Sequence, residues 1–257
     1  MSALPLVLRQ IRYEWIAFWR NPPAAFFSFV FPLLFLVIFN MVFGNSEIRV
    51  PGGTARAATF YVPAIAAMSI MNSCFNGLAM GVAIARDAGV LKRVRGTPLP
   101  AWAYLAGRIG LVMTVSLLLI AVVVAMGALV YGVRIPTNTM PAFLVTVLIS
   151  TAACSALGLA MTALIPNADA APAVVNALTL PLLFISNVFI PSERMPVWVS
   201  NVAGVFPLQH ISQALQIAFN PFETGSGFAP QHLLIIAVWG VAGMLVALRF
   251  FSWEPRR

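Results

Sequence analysis

Apolar positions in this chain gather into six long runs, at 24–43, 60–85, 103–131, 140–165, 170–190 and 233–251, parted by short polar or charged segments. Each run matches the roughly 20 consecutive apolar residues that an α-helix needs to cross a bilayer, so six spans are predicted. The first run is 20 residues long and ends on Phe43-Gly44-Asn45. That is too long for the apolar part of a secretory signal and lacks its small-x-small cleavage site, so it too reads as a span.

Two further segments have a helical period without the length to cross. In 4–19, Leu4, Leu8, Ile11, Trp15 and Phe18 recur at helical spacing with Arg9, Arg12 and Glu14 between them, which predicts a helix lying flat in the headgroup region. Pro22-Pro23 then breaks it and turns the chain into the first span. Within 191–232, the 208–219 piece sets Leu208, Ile211, Leu215 and Phe219 on one face and Gln209, His210, Gln213 and Gln216 elsewhere. A helix there rises only about 18 Å. With the apolar 197–206 on the other side of Pro207, it predicts a pair of short outward-side helices that dip in and return.

Composition narrows the class. Hydrophobic residues make up 61% and charged residues 9%, with a mean hydropathy of +0.93. Average soluble domains hold about 45–50% and about 25%, and so few charges cannot cover a soluble surface. Disorder needs the opposite balance. The chain therefore reads as all-α, a polytopic membrane protein with six transmembrane helices, an N-terminal interfacial amphipathic helix and short outward-side helices before the last span. It is expected to be one transmembrane domain over 1–257. The interfacial helix lies in 1–23, spans one to five in 24–190, the extracytoplasmic helices in 191–231, and the sixth span with a cytoplasmic tail in 232–257.

Fifteen Lys and Arg against seven Asp and Glu give a net charge of +8. With both termini in the cytoplasm, four cations (Arg49, Arg56, Arg134 and Arg194) fall outside and the remaining eleven inside, the asymmetry of a positive-inside membrane protein. Nucleic acid is not an expected partner; anionic membrane lipid is. Cys74 and Cys154 lie inside apolar runs and read as small buried hydrophobes.

Several chemistries are missing. No G-x-x-x-x-G-K-[ST] loop occurs, and Lys92, the single lysine, is followed by arginine, so this chain is not expected to bind ATP or any other cofactor itself. Lys, Asp and Glu are absent from the span centres, and Arg108 sits near a cytoplasmic end. Carriers coupled to protons or sodium use an intramembrane carboxylate or histidine as relay, so active transport here must draw its energy from another subunit. No metal-ligand spacing surrounds His210 and His232. Neither a metal site nor a catalytic residue is expected; His210 reads as a polar contact at the membrane surface, with a Ser-His dyad as the enzymatic alternative.

The loop after the second span runs Arg86-Asp87-Ala88-Gly89-Val90-Leu91-Lys92-Arg93-Val94-Arg95-Gly96-Thr97-Pro98-Leu99-Pro100 and continues to Gly107-Arg108. Its first half predicts a short cationic helix across the membrane face; Gly96, Thr97, Pro98 and Pro100 then force a turn. Such a helix fits a groove on a cytoplasmic partner, or else serves only as a topology-setting loop near anionic lipid. The run at 86–100 and Gly107-Arg108 resemble the type-2 ABC exporter permeases, near the actinobacterial drug-resistance and nodulation lipo-oligosaccharide permeases. Trp19-Arg20-Asn21-Pro22, Phe31-Pro32 and Phe206-Pro207-Leu208 are similar too, so the resemblance covers essentially the whole chain. It implies two permeases paired in the membrane, the second a copy or a paralogue. Each docks on a cytoplasmic ATP-binding cassette subunit that holds ATP and Mg. It also implies that the flat helix and the 86–95 helix dock, with Arg86, Asp87, Lys92, Arg93 and Arg95 as contacts, and that the short outer helices cap the pathway.

Small residues recur at every fourth position in span two (Ser69, Ser73, Gly77, Gly81, Ala85) and span four (Ser150, Cys154, Gly158, Thr162), rows that let helices approach closely within the chain or between permeases. Asn72 and Asn76 in span two and Asn176 and Asn187 in span five are costly in lipid, so each pairs with another helix or lines a substrate pathway. The expected function is the membrane permease of an ATP-driven exporter of hydrophobic or amphipathic compounds (drugs, lipids or glycolipids) at the cell membrane, with the ATPase on a separate chain. The rivals are a secondary carrier or flippase driven without ATP, and an intramembrane enzyme or scaffold.

Overall fold

Pro22 and Pro23 divide the N-terminal region as their fixed φ requires. Helix α1 (Ala3–Trp19) ends before them and α2 (Pro22–Phe43) begins on them, where missing N–H groups cost nothing. This computed structural model describes residues 3–43, 46–50, 52–97, 99–135, 137–190 and 195–254; Pro98, Arg194, Arg256 and Arg257, which figure in the motif and loop charges above, lie outside the described residues.

A short antiparallel hairpin follows α2, β1 (Glu47–Val50) with β2 (Gly53–Arg56), paired from Glu47–Arg56 to Val50–Gly53. The second span is one rod over Ala57–Asp87 made of α3 (Ala57–Ile70), a π-helical segment (Met71–Gly77) and α4 (Leu78–Asp87). Then come α5 (Val90–Arg95), α6 (Ala101–Tyr131), α7 (Met140–Met161), α8 (Ala171–Ile185), α9 (Val197–Ala203), α10 (Pro207–Ala218) and α11 (Pro230–Phe250).

Five helices among the described residues are long and apolar enough to cross a membrane: α2, the Ala57–Asp87 rod, α6, α7 and α11. The run expected as the fifth span is helical only over the 15 residues of α8, which rise about 22 Å against a hydrocarbon core of about 30 Å. Its early end lies at Asn187, the one non-glycine residue with positive φ (56°) among the described residues. Asparagine tolerates that left-handed turn better than most residues. The turn is buried and satisfied by α10: Ser212 Oγ donates to the Asn187 carbonyl at 2.8 Å and Asn187 Nδ2 donates to Gln216 Oε1 at 2.7 Å. Burial with paired polar groups is what lets such non-helical backbone persist inside a helical bundle.

Helix α7 is the centre of the bundle. On one side a Cβ at Gly158 would stand 2.8 Å from the Phe75 carbonyl oxygen and 2.9 Å from that of Cys74, so α7 meets the π segment backbone to backbone. On the other, a Cβ at Gly243 of α11 would stand 3.0 Å from the Leu157 amide nitrogen. The span-four row of small residues is thus an intramolecular seam, while Ser73, Gly77 and Gly81 of span two face an open cleft. Helix α2 joins by aromatic stacking: Phe39 lies on Tyr61 at 4.8 Å between centroids and on Phe189 at 5.4 Å.

Arg86 departs from its expected place at a docking surface. Its side chain is 1% exposed, and its Nη1 and Nη2 donate to the carbonyls of Thr162 at 3.1 Å and Ile165 at 2.6 Å, just past the end of α7. Asp87 Oδ2 accepts from the Ala168 amide at 2.5 Å. The two side chains clasp the α7–α8 connection, because the last carbonyls of a helix have no partner of their own and a guanidinium supplies several donors at once.

Two stability effects follow. Arg86→Met should cost about 3 kcal/mol by stranding these carbonyls and Asp87, read as earlier thermal unfolding in detergent. Gly158→Ala should cost about 1–3 kcal/mol through backbone displacement, whereas Gly77→Ala, facing the cleft, should change unfolding by less than about 0.5 kcal/mol.

Candidate substrate cleft and cationic face

Helix α1, helix α5, the start of α6 and the α7–α8 connection meet at one end of the bundle. Glycine makes the junction of α1 with α6. Gly107 and Gly110 face Gln10 and Ile11 with no room for a side chain. The next position carries the charge: Arg108 Nε lies 3.3 Å from Glu14 Oε2 and donates to the Tyr104 hydroxyl at 3.1 Å. Glu14 Oε1 in turn accepts from Gln10 Nε2 at 3.2 Å. The Gly107-Arg108 pair of the sequence motif therefore seats α1 against the third span, leaving Leu8, Tyr13 and Ile16 exposed on its other side.

Between α1, the start of α2, the π segment with α4, and α6 lies a cavity of about 460 Å³, within the 300–1,000 Å³ usual for small-molecule sites. Its polar lining is Glu14, Asn21, Ser28, Asn72, Ser73, Asn76 and Arg108, and its apolar lining includes Phe18, Met80, Ile84, Leu111 and Val115. Asn76 Oδ1 accepts from Thr179 of α8 at 2.8 Å, and Asn76 Nδ2 donates to Asn72 Oδ1 at 3.4 Å. Both asparagines thus face the cleft, and Asn76 also makes an interhelical bond. Asn176 is exposed on α8 outside the cleft, and Asn187 is the buried turn at the opposite end.

Of the cationic-loop residues, Lys92, Arg93 and Arg95 are exposed on α5, which is pinned by the fully buried Leu91 packed with Leu78, Val82 and Tyr104. Arg86 and Asp87 turn inward to the clasp. The loop motif thus splits into an exposed cationic face and a buried anchor.

At the far end, α10 is almost entirely buried, and its His210 bridges to α11. His210 Nδ1 lies 2.8 Å from His232 Nδ1, and His210 Nε2 lies 2.8 Å from the Gly204 carbonyl. Both ring nitrogens are engaged, which leaves neither to serve a serine as base. No group of three or more His, Cys, Asp or Glu side chains suited to a metal occurs among the described residues.

Sequence reasoning missed the Glu14–Arg108 pair, although an arginine inside a span requires a partner and Glu14 was the nearest carboxylate of the flat helix. It also missed Thr179 as the partner of Asn76, and the π segment that carries both asparagines.

The chain is similar to the putative transport permease ycf38 of Porphyra purpurea, 23% identical over 236 residues that cover 91% of this chain and 79% of that protein. It is 24% identical over 217 residues to the daunorubicin resistance ABC transporter permease protein DrrB1 of Streptomyces coeruleorubidus, covering 83% of this chain and 74% of that protein. It is 25% identical over 154 residues to the probable multidrug ABC transporter permease YbhR of Escherichia coli K12, covering 60% of this chain and 41% of that protein. The family model for the ABC-2 type transporter matches residues 6–220, and with most of its length inside that match this chain belongs to the ABC-2 type transporter family.

Proposed function

We propose that the chain is the membrane subunit of an ATP-driven exporter, with hydrolysis performed by a separate cytoplasmic ATP-binding cassette subunit that carries ATP and Mg. The carrying observation is the placement of α5: Lys92, Arg93 and Arg95 point outward from a helix whose root is fixed by Leu91 and by the Arg86–Asp87 clasp. A cationic helix held this firmly transmits a push, whereas a loop that only sets topology has no need of a buried anchor. The clasp grips the α7–α8 connection and α1 forms a wall of the cleft, so force applied at this end reaches the cavity through packed elements.

Both termini face the cytoplasm in this reading, and two permeases, identical or paralogous, pair in the cell membrane. The cleft opens beside the flat helix α1 and is mainly apolar, which suits a hydrophobic or amphipathic substrate (a drug, lipid or glycolipid) entering from the membrane. The drug-resistance and multidrug names of two relatives fit that class.

Reversing Arg93 and Arg95 together to glutamate should leave the protein inserted and folded, because neither side chain is buried, while substrate-stimulated ATP hydrolysis of the co-purified complex falls at least about tenfold, the effect of opposing charges at a docking contact. Unchanged hydrolysis and transport in vesicles would remove α5 from the docking face.

A further inference from the structure

The cleft is electrically balanced by one carboxylate and one guanidinium, yet more of its side-chain nitrogens than of its oxygens are left without a partner. Of the carboxylate and carboxamide oxygens that line it, each already holds one partner, while the Ser73 hydroxyl lines it too. Glu14 Oε1 accepts from Gln10 and Oε2 faces Arg108 Nε. Asn21 Oδ1 accepts from the Ala24 amide at 3.4 Å. Asn72 Oδ1 accepts from Asn76, and Asn76 Oδ1 from Thr179. Ser28 spends its proton on the Ala24 carbonyl, which leaves its hydroxyl oxygen as a neutral acceptor.

Several donors are left over. Arg108 uses Nε for Glu14 and Tyr104, while its Nη groups reach toward the open side; Nη1 lies 3.4 Å from where a Cβ on Gly81 would stand, so the glycine clears its path. Asn72 Nδ2 and Asn21 Nδ2 carry further N–H groups into the same space. Asn21 is oriented by the Ala24 backbone N–H that its oxygen accepts, and Asn72 by its contact with Asn76. A guanidinium and two carboxamides lining one cleft with apolar Ile84, Leu111 and Val115 ask for an acceptor-rich head on an apolar tail.

We propose that this cleft binds an amphiphile with an anionic, oxygen-rich head such as a phosphate or carboxylate, the head on Arg108, Asn72 and Asn21 and the tail along α4 and α6. The proposal rests on the reading of the cleft as the substrate site and specifies the class of substrate that the site takes. Cationic amphiphiles are disfavoured because Glu14 is already committed to Arg108, and freeing it would strand the guanidinium in a partly buried place.

The test is equilibrium binding to the purified full-length chain in a maltoside detergent, with dodecyl phosphate, dodecanol, dodecyltrimethylammonium and inorganic phosphate as probes. Dodecyl phosphate should bind at least about tenfold more tightly than the neutral and cationic probes, an advantage lost in Arg108→Gln and largely kept in Arg108→Lys. Asn72→Asp, which preserves the bond from Asn76, should weaken dodecyl phosphate and improve the ammonium probe; it keeps the proposal open to refutation if Arg108→Gln does not fold. Equal binding of the three dodecyl probes, tighter binding of the cation, or indifference to both substitutions would overturn the assignment. Inorganic phosphate binding as tightly as dodecyl phosphate would replace the amphiphile by a free oxyanion and overturn it also. The permease is measured alone, so finding no ATPase partner would sink the exporter reading and leave this result standing, while head-independent binding would sink the ligand class and leave the exporter reading intact.

Discussion

Backbone groups in lipid have no water to turn to, and this bundle is arranged around the places where its helices stop or irregularly wind. Uninterrupted helices satisfy themselves; the ends and turns cannot. Arg86 reaches from the second span to the carbonyls past α7, and α10 supplies Ser212 and Gln216 to the Asn187 turn beyond α8. At the far end the Thr139 hydroxyl donates to the Ala218 carbonyl. Each repair joins elements distant in sequence, so the demands of individual helix ends also hold the bundle together.

The same logic sets the position of the cleft. The π segment presses the backbone of the rod on Gly158 and turns Asn72 and Asn76 toward α1 and α6, where a regular helix would have continued one face. Such segments recur at functional places in helices. Cleft, clasp and cationic helix therefore share one end of the bundle. Asn76 ties the cleft wall to α8 through Thr179, and Arg86 ties the base of α5 to the same α7–α8 connection. The cleft and the proposed docking face thus belong to one connected set of helices.

Much of this was legible from residue order. The long spans, the helix broken by Pro22-Pro23 and the short helix after Pro207 follow from apolar periodicity and proline geometry, which are local properties. Burial of Arg86 was not legible, because counting loop cations treats every arginine as solvated and cannot see carbonyls brought up from residues 162–166. The shortened α8 escaped for a related reason: its residues are apolar to 190, and what ends the helix is a buried turn completed by α10. A π segment has no apolar period of its own. Asn72 and Asn76 were recognised as costly in lipid; which neighbours they would meet depended on winding that composition does not record. The Glu14–Arg108 pair was within reach, since a charged residue inside a span is an unfinished statement.

The contact at Gly158 sorts the molecule into stiff and yielding parts. There two backbones touch with no side chain between them, and nothing can slide without breaking that fit; α7, the π segment and α11 behave as one rigid wall. Across the cavity the contacts are made by side chains: α1 rests on α6 with Gln10 and Ile11 against Gly107 and Gly110 and through the Glu14–Arg108 pair, and Trp19 stacks on Phe29 of α2. The cavity therefore has unequal walls, one joined backbone to backbone and one joined through side chains, and the second is the wall with more room to give.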